Sequence, residues 1–374
     1  MKVSFTGDIF IGYCNEYILP RIDKYVTANE YRIANLEAPI TTRNHPISKK
    51  GPVMAQPAEV VDFLNKLGVT HVNLANNHIA DHGWQGVEDT LETLDKSSFG
   101  YAGAGLSPEE IFKPIRVYDG NSFVSILSCA ENGFGCYSTE PAEQDWGYAW
   151  LYHPEFQKLL HDELNKASSV ILSIHAGAEN VDRPLPQWRK TYKQFINLGV
   201  SAIIAHHPHV TQGVEVYKGA PIFYSIGNFF FYKDKTKNEK WYQSQIPELT
   251  FKEAKLKGWE VYHSHFSQKD GGSITYDNKT GPKRTQKLSE QLVDEDTYNK
   301  VLQEDLEWLW KSRYGPGIER SLPFSITNTK TLLGYAKNLS AYLLGKRHKD
   351  PMVFEHYCDI ESHRWTLAEI MRRV

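Results

Sequence analysis

The feature that most constrains this chain is an alternation. Short apolar runs of strand length are separated by segments whose apolar residues recur at helical spacing. KVSFTG (2–7), THVNLA (70–75), SFVSILSC (122–129), SVILSI (169–174), SAIIA (201–205) and PIFYSI (221–226) read as strands. Between them, AEVVDFLNKLG (58–68) puts Val60, Val61, Leu64 and Leu67 on one helical face, with Gly68 as its stop. GVEDTLETLDK (86–96) repeats the pattern with Val87, Leu91 and Leu94. PEFQKLLHDELNKA (154–167) is amphipathic, and WRKTYKQFINLG (188–199) carries Trp188, Tyr192, Phe195 and Ile196 on one side. Helices alternating with apolar strands predict a largely parallel α/β core.

From about residue 233 the pattern changes. YKDKTKNEKWYQSQ (232–245) reads as a polar loop, and residues 248–281 read as two or three strands with turns at KDGG and DNKTG. Beyond them the chain carries helical stripes. Tyr298, Val301, Leu302, Leu306 and Leu309 form one; Leu332, Ala336, Leu339 and Leu343 form a second; Trp365, Ala368 and Met371 mark a final helix. A chain of 374 residues is long for one ordinary domain. The expected division is a core domain over 1–285 and a helical extension over 286–374.

Bulk properties narrow the function classes. Hydrophobic residues make up 41% and charged residues 23%, as in ordinary globular proteins. A net charge of −3 offers no basic excess for nucleic acid. No window approaches the roughly 18 apolar residues of a membrane span. MKVSFTGDIFIG does not read as a secretory signal, because a strand-like alternation runs directly into an acid. Cys14, Cys129, Cys136 and Cys358 are scattered and read as free thiols of a reducing compartment. Together these features predict a cytoplasmic protein.

Nearly every unusual polar cluster sits just after one of the expected strands. Asp8 follows VSFTG, Asn35 and Glu37 follow YRIA, and Asn76, Asn77 and His78 follow VNLA. His175 and Glu179 follow VILSI, His206, His207 and His209 follow AIIA, and Ser225, Gly227 and Asn228 follow PIFY. In open α/β sheets the strand C-termini share one edge, and ligands bind there. Each cluster alone has a plain reading: Asp8 a turn residue, Asn76 and Asn77 turn formers, His78 a satisfied histidine. Six segments delivering acids, imidazoles and amides to one rim have a shared reading, a divalent-metal site. Hard and borderline metals take these donors. Two metals bridged by a carboxylate activate water and stabilise the leaving oxygen of a phosphoryl transfer. His207 and His209 flank Pro208, which stiffens their spacing.

The motif series resembles the bacterial capsule-synthesis CapA family, also called the poly-γ-glutamate biosynthesis CapA family, within the calcineurin-like metallophosphoesterases. The matching stretches are GDIFIG (7–12), NLEAPIT (35–41), NLANNHIADHG (73–83), IHAGAEN (174–180), AHHPHVTQGVE (205–215) and YSIGNFFF (224–231), covering about residues 2–232. The resemblance implies an α/β fold: a metallophosphoesterase-like αββα sandwich with mixed sheets, followed here by the helical extension. It implies one or two divalent ions, Mn, Fe or Zn. Asp8 matches the first metal-binding acid, Glu37 the bridging carboxylate, Asn77 the amide ligand, His175 the isolated histidine, and His207 and His209 the closing pair. His78 matches the catalytic histidine that bonds the phosphate or leaving oxygen, and Asp81 its orienting partner. Asn35, Glu179, His206 and Asn228 are expected at the substrate.

Two departures matter. Phe10 stands where the phosphoesterase pattern has a histidine ligand, and Glu37 replaces the usual aspartate. The first expectation is therefore a metal-dependent hydrolase of a phosphoester or a γ-glutamyl amide, acting in capsule, poly-γ-glutamate or exopolysaccharide synthesis. The second is a weakly catalytic or non-catalytic accessory protein that binds an anionic polymer or a biosynthetic partner. The expected ligands are an anionic polymer or a phosphorylated small molecule or glycan, not nucleic acid. A serine hydrolase is disfavoured, since no G-x-S-x-G element occurs. Two long loops could wall the site. In residues 136–150, Trp146, Tyr148 and Trp150 read first as packing over the sheet edge and second as a stacking surface. In residues 43–57, Lys49 and Lys50 read first as solvated charge and second as contacts to an anionic substrate.

Overall fold

The computed structural model describes residues 1–12, 21–22, 30–49, 51–137, 144–232, 238–268, 272–316, 318, 356–357 and 359–373. In chain order the elements begin β1 (Lys2–Phe10), β2 (Arg21–Ile22), β3 (Tyr31–Leu36), α1 (Val60–Lys66), β4 (His71–Asn73), α2 (Gly83–Lys96) and β5 (Gly100–Ala102). There follow β6 (Ala104–Gly105), α3 (Pro108–Ile111), β7 (Ile115–Asp119), β8 (Ser122–Ala130), β9 (Gly147–Tyr148), α4 (Pro154–Lys166) and β10 (Ser169–His175). Next come α5 (Pro186–Leu198), β11 (Ala202–His206), β12 (Val214–Tyr217), β13 (Ala220–Phe223), β14 (Asn228–Phe231) and a 3-10 turn (Glu239–Tyr242). The chain then forms β15 (Gln243–Lys252), β16 (Lys255–Ser267), β17 (Ser273–Tyr276), α6 (Thr280–Val293), α7 (Glu295–Leu309), a π-helical turn (Trp310–Tyr314) and α8 (Glu361–Arg373).

Two mixed sheets lie face to face. The first has the order β2-β17-β16-β15-β1-β3-β4-β5, with β14 also pairing β1; the second has the order β12-β13-β11-β10-β8-β7. Successive strand side chains point to opposite faces, so each strand serves two layers. Val3, Phe5 and Ile33 of the first sheet meet Val124, Ile126, Ile171, Ile204 and Phe223 of the second in one buried cluster. The alternate residues of the second sheet, among them Leu127, Leu172, Ile174 and Ile203, pack on Phe156 and Leu160 of α4 and Trp188, Tyr192 and Phe195 of α5. On the far side, Val60, Phe63 and Leu64 of α1 and Val87, Leu91 and Leu94 of α2 cover the first sheet. The result is the αββα sandwich. The parallel strands fall where the alternation predicts them, and the polar stretch after residue 238 becomes the 3-10 turn and the start of antiparallel β15.

Strand register does the positioning. In the first sheet Asp8 pairs across from Asn35, Asn35 from Asn73, and Asp8 from Asn228. In the second, His175 lies beside His206. Polar strand ends are thus level in both sheets. Gly7 makes the crossing of β1 and β14 possible: a Cβ there would lie 1.9 Å from the Gly227 carbonyl oxygen.

The C-terminal helices are continuous with the core. Tyr298, Leu302, Leu306 and Leu309 of α7 are buried in the cluster that holds Trp188, and Trp365 of α8 packs on Trp188 with ring centroids 4.6 Å apart. Met371 instead faces solvent at 71% exposure. Residue 285, the expected boundary, falls inside α6, where the Thr285 hydroxyl bonds Gln245 and His263. The stripe from Leu332 to Leu343 and residues Cys14, Lys50 and Cys358 lie outside the described residues. Among the described residues no helix is long and apolar enough to cross a membrane.

Candidate metal centre

Six strand-end segments converge on one point. Carboxylate oxygens of Asp8 and Glu37 and a ring nitrogen of His175 lie within 4.8 Å of one another, all buried. His175 Nε2 is 2.9 Å from Asn77 Oδ1 and 3.1 Å from His207 Nδ1, and Glu37 Oε1 is 3.9 Å away. A second group shares Glu37: His209 Nε2 is 3.7 Å from Glu37 Oε1, while His209 Nδ1 is 3.4 Å from Asp8 Oδ2. Asp8, Glu37, Asn77, His175, His207 and His209 therefore form one chain of contacts with Glu37 in the middle.

The backbone around the histidine pair is strained. His207 has φ +93° and His209 has φ +58°, a region L-residues seldom occupy. Such conformations persist where surrounding packing enforces them, typically at functional sites. The His209 ring is held between Phe231 and Trp241, at centroid distances of 4.9 and 4.8 Å.

The electrostatics favour a cation. Burial would raise the Asp8 carboxyl, but His206 and His209 outweigh it and hold it well below the usual range. Burial, reinforced by the charge of Asp8, pushes Glu37 well above its ordinary value. Burial, with His207 adding to it, holds His175 well below its ordinary value, and burial brings His207 down to about 4. Neutral imidazole is the form that binds a metal. Asp8 Oδ2 and Glu37 Oε1 are buried with no hydrogen-bond partner among the described residues. Orphaned carboxyl oxygens beside the ring nitrogens of His175 and His209 fit a divalent ion, which satisfies both.

The remaining expected residues divide. His78 Nδ1 is 2.7 Å from Asp81 Oδ2, the pairing the resemblance implies. Asn35 donates to Asp8 Oδ1 at 2.8 Å. Asn228 Oδ1 lies 3.0 Å from His209 Nδ1, and its amide nitrogen bonds the Trp241 carbonyl. His206 Nδ1 is 3.4 Å from Asp8 Oδ1. Asn35, His206 and Asn228 thus stand fully buried behind the donor cluster, against its side chains, and of the four expected substrate contacts Glu179 lines the cavity. Asn76 builds the turn: its Oδ1 accepts from the His78 and Ile79 amides, and its Nδ2 bonds the Leu36 carbonyl.

A cavity of about 320 Å³ opens beside the cluster, lined by Phe10, Lys49, Asn77, His78, Glu179, His209, Phe231, Trp241 and Arg313 among others. Phe10 leans on Phe231 at 5.1 Å, occupying with an apolar ring the place expected of a ligand. Lys49 departs from its first reading as solvated charge. Its side chain is 3% exposed, paired with Asp81 and 3.2 Å from His78 Nδ1. In residues 136–150 the packing reading holds: Tyr148 is fully buried, and Trp146 and Trp150 pack against the core. Residues 138–143 of that loop lie outside the described residues.

Sequence reasoning missed Glu131 and Arg313. Glu131 directly follows β8, so the strand-end rule that found the others applies to it as well. Its Oε1 is 3.6 Å from His207 Nε2, its Oε2 accepts from the Ser362 amide at 2.6 Å, and burial brings its carboxyl up to about 8. Arg313 carried no local signal.

The sequence model of the family described as "Bacterial capsule synthesis protein PGA_cap" matches residues 2–233. A capsule biosynthesis protein CapA of Bacillus anthracis is 28% identical over 62% of this chain and 60% of its own length. A PGA biosynthesis protein CapA of Bacillus subtilis is 30% identical over 62% of this chain and 63% of its own. The chain thus spans under two thirds of the length of these relatives. A solved hypothetical protein from Thermus thermophilus aligns over 70% of this chain and 98% of its own, at 16% identity and a TM-score of 0.41, a likeness too slight to bear on function. With its ordered motifs converging on one buried centre and the family match spanning 2–233, the chain belongs to the bacterial capsule synthesis PGA_cap family.

Proposed function

We propose that the chain is a metal-dependent hydrolase of capsule or poly-γ-glutamate synthesis, cleaving a phosphoester or a γ-glutamyl amide. The observation that carries this is the pair of orphaned oxygens, Asp8 Oδ2 and Glu37 Oε1, beside the ring nitrogens of His175 and His209. Glu37, Asn77, His175 and His207 would hold one ion; Asp8, Glu37 and His209 would hold a second. Such ions, of Mn, Fe or Zn, supply a water acidified towards neutral pH and a counter-charge for the leaving oxygen. The chain's own residues do the rest. Asn35 and His206 orient Asp8, and Asn228 orients His209. Burial, with Lys49 adding to it, lowers the His78 pKa, so the ring is neutral at pH 7. Asp81 holds a proton on His78 Nδ1, so Nε2 is the atom that exchanges a proton with the cavity.

The test measures bound Mn²⁺ and hydrolysis of an aryl phosphate and a γ-glutamyl anilide, for the wild type and His207→Ala. The expected result is metal binding by the wild type, with at least a roughly hundredfold loss of turnover in the variant. A reconstituted wild type that neither retains metal nor cleaves any probe sinks the enzymatic reading. A second reading is favoured by Phe10, which leaves the Asp8 group one donor short. On it, the protein binds an anionic polymer or a synthase partner without turnover; metal binding without hydrolysis is its signature.

A further inference from the structure

Three cavity residues, Arg313, His356 and Ile360, come from far beyond the family match. Arg313 belongs to the π-helical turn Trp310–Tyr314 and lines the cavity. π turns are rare and often mark functional sites. The Arg313 Nη1 donates to Glu179 Oε2 at 2.9 Å, and Nη2 donates to His363 Nε2 at 3.3 Å. His363 Nδ1 in turn meets the Tyr314 hydroxyl at 2.8 Å. The guanidinium is thus held at two nitrogens, yet its side chain remains 27% exposed.

The other cation lining the cavity, Lys49, is different. Lys49 is 3% exposed and paired with Asp81, with the Asn77 carbonyl 3.5 Å away. A guanidinium carries five N–H groups in a fixed fork, and the contacts of Arg313 use two. Of the two, Arg313 is therefore the cation that faces the cavity with N–H groups to spare.

We propose that Arg313 is an anion-recognition residue of this cavity, receiving a carboxylate or phosphate group of the ligand. Glu179 is then a positioning residue: it holds the fork in place and competes with the incoming anion. That the other end of the ligand reaches the metal centre rests on the hydrolase reading; the anion contact does not.

The test is calorimetric titration of the full chain, first stripped with chelator and then with Mn²⁺. The probes are di-γ-glutamate, phenyl phosphate and the fully amidated di-γ-glutamate. The wild type is expected to bind one of the two anions and to bind the amide more weakly. Arg313→Gln is expected to lose about tenfold or more in affinity, and Arg313→Lys less, because one charged donor remains. Glu179→Gln is expected to bind the anion more tightly. Which anion responds separates an acidic polymer from a phosphorylated ligand. The proposal is overturned if the wild type binds neither anion, if Arg313→Gln binds as the wild type does, or if Glu179→Gln weakens binding as Arg313→Gln does. Should Arg313→Gln not fold, Arg313→Lys and Glu179→Gln decide alone. Arg313-dependent anion binding without Mn²⁺ binding would defeat the hydrolase reading and leave this inference standing.

Discussion

The floor and the wall of the cavity are built by different rules. The floor is a set of strand ends brought level by register: Asp8 with Asn35, His175 with His206. Each residue there is placed by its own strand and needs only that strand to find its neighbour. The wall is Arg313, His356 and Ile360, delivered by segments that follow α7 and precede α8. It is docked through contacts of very long range. Ser362 donates its amide to Glu131, 231 residues away, and its hydroxyl accepts from the Trp188 indole and the Gly177 amide. Glu131 thus joins the two parts, touching His207 on the floor and the first turn of α8. The lesson is that a cluster of donors can sit on a local scaffold, while the wall of the cavity beside it depends on tertiary docking.

Three substitutions probe that contrast, from the largest expected effect downward. On the floor, Asp81→Asn removes the counter-charge of buried Lys49. Breaking a buried pair from one side costs about 3 kcal/mol or more. Denaturant unfolding should show that loss, and adding Lys49→Met should recover part of it. A single variant as stable as the wild type would mean that Lys49 is not held in a dry site.

At the joint, Ser362→Ala strands two buried donors, the Trp188 indole N–H and the Gly177 amide. The expected cost is about 2 kcal/mol, read by calorimetry. Mn²⁺ affinity should not change, since the floor is built without the wall. A fall in Mn²⁺ affinity matching the fall in stability would erase the distinction between floor and wall.

Outside the cavity lining, His263 ties β16 to α6 through Thr285. Burial, opposed by Asp277, brings its pKa down to about 4. An unfolded chain takes up that proton near pH 6.5, and the folded one refuses it until about pH 4. Stability is therefore full above about pH 6.5 and lost as pH falls towards 4, by roughly 2 kcal/mol at pH 5. His263→Gln should flatten this part of the pH–stability curve. Equal slopes for variant and wild type between pH 7 and 5 would exclude the histidine as their source.

Much of the site was legible because its signals are local. A polar residue directly after an apolar strand is visible without a structure, and Asp8, Asn77, His175, His207 and His209 were all found that way. Glu131 obeys the same rule, and its single acid among glycine and asparagine lacked the clustering that drew attention elsewhere. The part each strand-end residue plays was less legible. Asn35, His206 and Asn228 share the strand-end position of the donor cluster yet lie behind it, because the face of a strand end depends on twist and bulging. The register shift in β1 between Thr6 and Asp8 is such a case. Lys49 reads in sequence as one of two adjacent lysines in a polar loop. Burial against Asp81 is a pairing that composition does not announce.

Period-two and period-3.6 apolar patterns, read from the chain alone, were enough to specify the alternating strands and helices, and the positions of the polar residues were enough to specify a shared rim. Both are properties of neighbours within a few residues, where backbone geometry dictates which side chains share a face. The closing of that rim by Arg313 and α8 was decided by tertiary structure alone. Contacts across well over a hundred residues depend on which surfaces remain to be covered once both sheets have packed, and no local pattern encodes that.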